Sequence, residues 1–543
     1  MSLPSRRRIG LAAVATTVAL VASGTAGLAP AVAAPVDPPA DADPGPAAAA
    51  AGWLADELGD DGLLTHDSGY GPFTDVGLSL DAGFALSAVG GHTADIQRIL
   101  GGLAAELPTY VGEGTERYAG ALAKAAVFVR ETGSDPATFD DEIDLVARLE
   151  ERVLTDAPVA GRIADESTWG DFANSIGQAF AARALSAEGS PLADEVTAFL
   201  LDQQCAAGFF RLDFTKDKTT AAQSCDEAPS TGTPSADTTA LVLQQLAAID
   251  EPDADVTAAL TRGAAWLKSQ QRGGGAFTDG GAINANTTGL AGWTLGLLGE
   301  DAAAARAAHV LRSLQAATLA PCLGGLEGDE GAVALDPGTL AAARNPGIDP
   351  LTRAQWARAT TQAVPALAWA RRGPGTATVK APVWARAGKK VRIRAAGFAP
   401  GETVCVQVGA REVVTTAGAK GAVGVRVPVQ KKPARRIVRV VGDSGVATPV
   451  VRVKALKKKK LRVQVAKRPV RAGAVQRIVV RGLAAGEPVK VFVRGKRVAA
   501  GRAGKKGAFQ KRVRIAKAGP ARVRAVGKFP KLRRGAAQFR VVR

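Results

Sequence analysis

The hydrophobic pattern of the chain changes once, near residue 375. Before that point, runs rich in Ala, Leu and Gly follow polar loops: "TDVGLSLDAGFALSAVG" (74–90), "SIGQAFAARALSAEG" (175–189), "ADTTALVLQQLAAI" (236–249), "NANTTGLAGWTLGLLG" (284–299) and "TTQAVPALAWA" (360–370). Such runs predict buried helices whose small side chains let neighbours crowd together. Beyond residue 375 the pattern alternates. In "VRIRA", "VGVRVPV", "RIVRVVG" and "ARVRAV" every second residue is apolar and most of the others are Arg or Lys, which predicts half-buried strands.

Both regions repeat. "WLADELGDDGLL" (53–64), "FLLDQQCAAGFF" (199–210) and "WLKSQQRGGGAF" (266–277) align without gaps. Each opens on an aromatic (Trp53, Phe199, Trp266), places a glycine tenth (Gly62, Gly208, Gly275) and closes on Leu64, Phe210 or Phe277. A polar loop and an apolar helix follow each, so helix-turn-helix units of about 50 residues fill the region. Asp75, Asp237 and Asn286 are the expected N-caps, since their side chains can accept from the free N–H groups of a first turn. In the basic half, 386–408 aligns with 471–493, with Gly397 facing Gly482 and Glu402 facing Glu487, and 417–427 aligns with 503–513. Two copies of one β module, each a sandwich with Gly- and Pro-bearing turns, are expected.

Charge sharpens the division. Residues 376–543 hold 45 Lys and Arg against 4 Asp and Glu, while residues 1–375 hold 24 against 47, so the overall +18 conceals two opposite surfaces. A field of that strength attracts polyanions and is salt-dependent. The tail's few aromatics, including Trp384, Phe398 and Phe492, fall largely at core-like strand positions, which leaves base stacking and specific nucleic-acid readout unsupported. The run "KALKKKKLRVQVAKR" (454–468) reads as a solvated junction between the modules.

The first residues read as a targeting segment. Arg6, Arg7 and Arg8 precede the apolar run Ile9–Ala22, and Ala31-Val32-Ala33 offers a cleavage site, so a signal peptide over 1–33 is expected, with Sec and twin-arginine export both open. Val36–Ala51 reads as a Pro/Ala/Asp linker, giving boundaries of 34–51 for the linker, 52–372 for the helical part, and 376–455 and 459–543 for the modules. No other stretch is long and apolar enough to anchor the chain in a bilayer. In an exported chain the four cysteines favour disulfides, with Cys205 and Cys225 the natural pair; Cys322 and Cys405 fall in different expected domains. No metal site or cofactor is expected.

The "WL-x-x-Q-Q…GGG-x-F" turn at 266–277 and the "N-x-N-T-T-G-L-A" helix start at 284–291, with looser copies from 53 to 370, resemble the terpenoid-cyclase and protein-prenyltransferase type of α/α toroid. More narrowly, "QQC", "TDVGLSLDAG", "DTTALVLQQL" and "EGAVALD" look like exported actinobacterial toroid proteins, and the "GFAPGE" turn looks like that of bacterial Ig-like domains. The resemblance implies an α/α toroid of about six helical hairpins, its inner helices parallel around a cavity, followed by two tandem Ig-like β-sandwiches. A cyclase's DxDD acid is missing: the adjacent pairs Asp60-Asp61 and Asp140-Asp141 lack an Asp two residues earlier. The zinc set of prenyltransferases and the Cys-Gly-Glu-Gln run of thioester toroids are also missing. What the resemblance leaves is a non-catalytic ring for a small hydrophobic ligand, a corrinoid or an isoprenoid, with an extracellular terpenoid-cyclase-like enzyme or a wall-associated structural scaffold as alternatives. Asp75, Asp81, Trp169, Asp237, Asn286 and Trp293 are the candidate ligand contacts at the cavity mouth, Asp81 because a carboxylate inside an apolar helix is either paired or faces the cavity. The basic modules are expected to hold the protein at anionic cell-envelope polymers.

Overall fold

The structure is a computed structural model describing residues 38–67, 69, 71–228, 232–318, 323–466 and 468–543. The expected signal segment, Tyr70 and Cys322 lie outside the described residues.

Among the described residues thirteen α-helices precede the β modules: α1 Gly45–Asp56, α2 Val76–Val89, α3 Thr93–Val111, α4 Ala119–Glu131, α5 Leu145–Glu150, α6 Ser175–Ala187, α7 Ala193–Leu201, α8 Ala236–Leu246, α9 Ala254–Gln270, α10 Ala285–Leu297, α11 Asp301–Leu314, α12 Pro337–Ala343 and α13 Arg353–Leu367. Six of them close a ring, each packing on the next: α2 on α4, α4 on α6, α6 on α8, α8 on α10, α10 on α13, and α13 back on α2. Helices α1, α3, α5, α7, α9 and α11 alternate with these in the chain and pack outside them. This alternation, with the short α12 added before α13, makes the inner helices parallel, so all their N-termini share one end of the ring. That end carries the longer connections, among them the hairpins β1 Thr65–Asp67 with β2 Pro72–Thr74 and β3 Thr278–Asp279 with β4 Ala282–Ile283.

The repeated turn joins one spoke of the ring to the next. Gly62, Gly161, Gly208, Gly275 and Gly331 all have left-handed φ values between +79° and +102°. A Cβ at each would lie 2.0–2.8 Å from a carbonyl oxygen of the next outer helix, at Arg98, Glu195, Arg262, Arg306 and Ala49 respectively. The second glutamine of each "QQ" ties the same pair: Gln204 Nε2 donates to Ala259 O at 2.9 Å and Gln271 Nε2 to Ala303 O at 2.9 Å. At the seam, Gln315 Nε2 donates to Pro46 O at 2.8 Å, joining the last hairpin to the first helix. Each closing apolar residue then donates its N–H into the following inner helix, Leu64 to Ser79 Oγ, Phe210 to Thr239 Oγ1, Phe277 to Thr288 Oγ1 and Val333 to Thr360 Oγ1, at 2.8–3.1 Å. These bonds satisfy backbone groups that the turn would otherwise bury unpaired.

Three expectations need correction here. Residues 45–51, read as linker, open α1: Ala47, Ala50 and Ala51 are buried and α1 packs on α13. An alanine run is the strongest helix former, and Pro44 and Pro46 are tolerated in a first turn that lacks partners for its N–H groups anyway. Asp237 and Asn286 are not caps. Ser235 and Asn284 hold those positions, accepting from Thr238 N and from Asn286 N and Thr287 N, which shifts each cap two residues upstream. Inner helix α4 was missed because its cap is not local: Tyr118 makes no side-chain cap bond, and Ala119 N instead donates to Asp165 Oδ1 at 2.7 Å.

The first β module comprises β5 Thr378–Lys380, β6 Trp384–Arg386, β7 Lys390–Ala396, β8 Thr403–Val408, β9 Arg411–Thr416, β10 Ala422–Pro428, β11 Arg435–Gly442 and β12 Val451–Leu456, in two sheets ordered β10-β7-β5 and β6-β12-β11-β8-β9. The second comprises β13 Lys459–Lys460, β14 Arg462–Val465, β15 Val470–Arg471, β16 Val475–Arg481, β17 Pro488–Val493, β18 Lys496–Arg502, β19 Ala508–Arg514, β20 Gly519–Val526 and β21 Arg533–Val542. Its sheets, β14-β16-β19 and β13-β21-β20-β17-β18, repeat the first arrangement, and each module has its own Val- and Ile-rich core. The lysine run is not a free junction: Lys459 and Lys460 form β13 and pair in parallel with Arg533 and Arg534.

The first module seats along the outer wall of the ring. A Cβ at Gly401 would lie 2.2 Å from the His309 carbonyl on α11, Thr318 N donates to Asp443 Oδ1 at 2.7 Å, and Gly373 abuts Ala399. Burial holds the His309 imidazole below its ordinary pKa of 6.5, with a hydrogen bond to the Ala417 backbone opposing the shift. A depressed imidazole pKa means the freed histidine takes up a proton first. Docking therefore contributes fully above pH 6.5 and weakens as pH falls through the window below it. Protection factors for hydrogen exchange, which divide out the intrinsic pH dependence of the rate, are expected to fall in the segments around His309 and Ala417 at pH 5 relative to pH 7.5, and His309→Gln is expected to flatten that dependence.

Candidate functional site

The inward arc of the ring follows from what each inner helix already touches. On α10, Gly289, Gly292 and Gly296 meet Gln362, Ala366 and Trp369 on the α13 side, while Leu290 and Thr294 face Gln244 of α8. With the outer side covered by α11, the remaining arc carries Asn286, Trp293 and Leu297, all half-buried. On α8, Gln244 turns to α10 and Gln245 accepts from Arg183 of α6 at 3.1 Å, which leaves Asp237 and Leu241 between them. On α2 the half-buried stripe is Gly77, Asp81, Phe84 and Ala88.

Charges on this arc are matched. Asp81 Oδ1 lies 2.5 Å from Lys124 Nζ of α4, and Lys124 also donates to Gly77 O at 2.8 Å and sits 5.9 Å from the Phe180 ring centroid. Phe84 stacks on Phe180 at 5.9 Å and meets Phe128 edge-on at 5.3 Å. Arg183 bridges Glu131 of α4 to Gln245 of α8. At the N-terminal end Asp75 caps α2 through Leu78 N at 2.8 Å and pairs with Arg358 of α13 at 3.2 Å. The Tyr110 hydroxyl abuts Gly77, and burial, reinforced by the charges of Asp81 and Asp75, pushes its pKa far above the phenol value. His66 stays neutral more readily than usual because it is desolvated, with Asp75 opposing and Arg358 adding to that effect. Its Nε2, the Gln362 Oε1 and the Asn286 Oδ1 are buried and have no hydrogen-bond partner among the described residues.

The loops at the same end expose large apolar side chains. Phe73 is 63% exposed, Trp169 79%, Phe172 69% and Leu351 59%, with Leu212 and Ile283 also exposed. Phe73 precedes α2, Trp169 and Phe172 precede α6, Ile283 precedes α10 and Leu351 precedes α13. Leu212 O accepts from Ser175 N, which brings it beside the Phe172 loop. Single exposed apolar residues are ordinary, but a set gathered on one rim marks a place where apolar surface is used.

No family model matches the chain, and no curated protein matches it. Among solved structures, the type II terpene cyclase MstE from Scytonema is similar at 15% identity and a TM-score of 0.41, covering 60% of this chain and 96% of that one. A protein from Actinoplanes is similar at 15% identity and a TM-score of 0.39, covering 60% and 98%. Fibronectin(III)-like modules of Clostridium thermocellum CbhA are similar at 14% identity and a TM-score of 0.21, covering 31% and 93%.

The sequence-derived candidates thus fall in two places. Asp75, Asp81, Asp237, Asn286 and Trp293 lie on the inner helices, whereas Trp169 lies on the exposed rim. Lys124, Arg183 and Arg358 were missed. The first two carried the same signal that singled out Asp81, a lone charge inside an apolar helix.

Cys205 and Cys225 are joined, stapling the connection between α7 and α8, and Cys205, Phe209, Cys225 and Trp266 form a small cluster there. Cys405 is also disulfide-bonded. Removing the first bond with Cys205→Ala and Cys225→Ala frees a loop of 20 residues in the unfolded chain, for an expected loss of about 3 kcal/mol in a denaturant titration. No helix among the described residues is long and apolar enough to cross a membrane.

Proposed function

We propose that the ring binds a small amphiphile with an isoprenoid-type apolar body, without transforming it, and that the basic modules hold this exported protein at an anionic cell-envelope surface. The observation that carries the reading is the pairing of an exposed apolar rim with a mixed interior just behind it. An apolar chain passing Phe73, Trp169 and Phe172 would meet Phe84, Phe180 and Trp293, while its polar end would find the unpartnered His66 Nε2, Gln362 Oε1 and Asn286 Oδ1. Binding sites commonly combine an apolar wall with a few converging polar groups.

Two features favour this over the other readings. General-acid chemistry would be favoured by two carboxylates sharing an environment, but Asp81 is engaged by Lys124 and Asp75 by Arg358. A corrinoid clasp would place a β domain across the mouth, and the first module lies along α11 instead. Titrating the full chain with farnesyl- and geranylgeranyl-chain alcohols and acids should quench tryptophan fluorescence saturably. Trp293→Phe should remove most of that signal, and Lys124→Met should weaken the acids more than the alcohols. An unchanged emission spectrum across both series would leave the ring a filled scaffold.

A further inference from the structure

The second β module has an open cleft of about 960 Å³ on the outer face of its larger sheet. Its uncharged lining residues are Phe492, Gly495, Leu532, Gly535 and Ala536. Lys458, Lys459 and Lys460 also line it. Arg522 and Arg524 lie on β20, and Lys531 and Arg534 complete the lining, Arg534 in register beside Lys460. All seven of these cations are exposed, and none of them has a carboxylate partner among the described residues. Residues 459–543 contain one acid, Glu487, which is buried against Arg533 beneath the sheet.

The duplicated module shows that the fold does not require this cleft. Register pairs Phe492 with Arg524 in the second module and Gln407 with Arg439 in the first, which makes Phe492 and Gln407 equivalent. Arg494 N donates to Arg522 O just as Gly409 N donates to Ile437 O, so Arg494 replaces Gly409 and Arg522 replaces Ile437. Opposite Phe492 stands Arg497, where Glu412 stands opposite Gln407. At four matching positions an acid, an aliphatic, a glycine and an amide in one module become three arginines and a phenylalanine in the other.

We propose that this cleft binds a linear phosphate-bearing polymer, engaged through its phosphate groups along the line of cations. The proposal deepens the surface-retention part of the reading above by giving it a defined site. Arg forks and Lys point charges both suit phosphate oxygens, and a string of cations without counter-ions suits a ligand with one charge per repeating unit. Nucleic acid is the weaker fit. Phe492 is the cleft's aromatic residue, and its ring is occupied by the Arg524 guanidinium 4.9 Å from the centroid, which removes it as a stacking platform. Arg494 is also committed, donating to the carbonyls of Lys517, Ala518, Gly519 and Pro520 and so fixing the turn beside the cleft.

The test uses the full chain and inorganic polyphosphate, with affinity measured from low to physiological salt. Arg522→Gln, Arg524→Gln and Arg534→Gln together should weaken binding about tenfold or more and reduce the slope of log affinity against log salt by about 2. Arg392→Gln, Arg394→Gln and Arg426→Gln, on exposed strand positions of the first module, remove the same charge and should cost less than about threefold. Equal losses from both triples would overturn the cleft while leaving general retention by a basic surface intact. Poly-glutamate binding as tightly as polyphosphate, or an oligonucleotide of matched charge binding tighter, would overturn the phosphate-polymer assignment. Unchanged hydrogen exchange in β20 and β21 of the triple variant confirms that the loss is one of charge and not of folding.

Discussion

Gly275→Ala is expected to destabilise the ring by about 4 kcal/mol, the sum of backbone strain and a forced displacement of packed main chain. Gly275 sits at φ +100°, outside the region an L-residue adopts without strain. Its missing Cβ would lie 2.2 Å from the Arg306 carbonyl oxygen and 2.5 Å from the carbonyl carbon, both main-chain atoms of α11 that cannot rotate aside. Moving α11 away would also stretch the bond from Gln271 Nε2 to Ala303 O and those from Arg306 to Gln271 Oε1. Gly274→Ala is the matched control: no atom lies within 4 Å of its Cβ, and the change should stay within about 0.5 kcal/mol. The comparison is read as the shift in denaturation midpoint followed by tryptophan emission, since Trp266 and Trp293 flank the turn on α9 and α10. Near-equal midpoints for the two variants would show that the turn does not tie the spokes together.

That turn also explains how much of the fold the sequence revealed. A residue that must be glycine and an apolar residue whose N–H must meet a hydroxyl recur at fixed spacing, and in two of the copies a glutamine, Gln204 or Gln271, reaches the neighbouring outer helix from the sixth position, where the first copy has Leu58. The repeat was therefore visible at 53–64, 199–210 and 266–277. Where the same contacts are made from a distance, the signal vanishes. Gly161 plays the glycine's part and Gln178 Oε1 the hydroxyl's, accepting from Ile163 N at 2.9 Å, but they stand in no recognisable copy of the motif. The α4 cap comes from Asp165, 46 residues beyond Ala119 in sequence.

The site was less legible for a related reason. Asp81 could be singled out as a charge inside an apolar helix, yet its meaning depends on Lys124, which belongs to the next spoke. Asp237 and Asn286 were selected as caps and hold other positions, because a first turn rich in Asp, Asn, Ser and Thr offers several capping side chains and only the backbone angles choose among them. Trp169 was indistinguishable in sequence from a packing aromatic. Its exposure follows from the loop it rides on, not from its own neighbours in the chain.

The β modules support the second large prediction, that Glu487→Gln will destabilise the second module by about 3–5 kcal/mol. Glu487 is fully buried, and its two oxygens meet Arg533 Nε and Nη2 at 2.7 Å each while also accepting from Ala484 N and Lys528 N. A neutral amide in its place leaves the Arg533 guanidinium, only 4% exposed, without a counter-charge, and turns an acceptor into a donor facing other donors. Gly527 offers no room for adjustment, because its Cβ position lies 2.2 Å from Glu487 Oε1. The first module is the internal comparison. Glu402 occupies the equivalent place under Gly442, but its oxygens accept from Ala399 N and from the N–H and hydroxyl of Ser444, with no buried arginine. Glu402→Gln should therefore cost less, on the order of 1–3 kcal/mol, since no buried cation is stranded. Hydrogen exchange across β16–β21 and β7–β12 of the full chain resolves the two modules separately, which matters because residues 459–543 contain neither Trp nor Tyr. Faster exchange in the first module for Glu402→Gln than in the second for Glu487→Gln would mean that the arginine is a bystander and that the glutamate acts in both modules simply as a brace for the Gly-Glu turn.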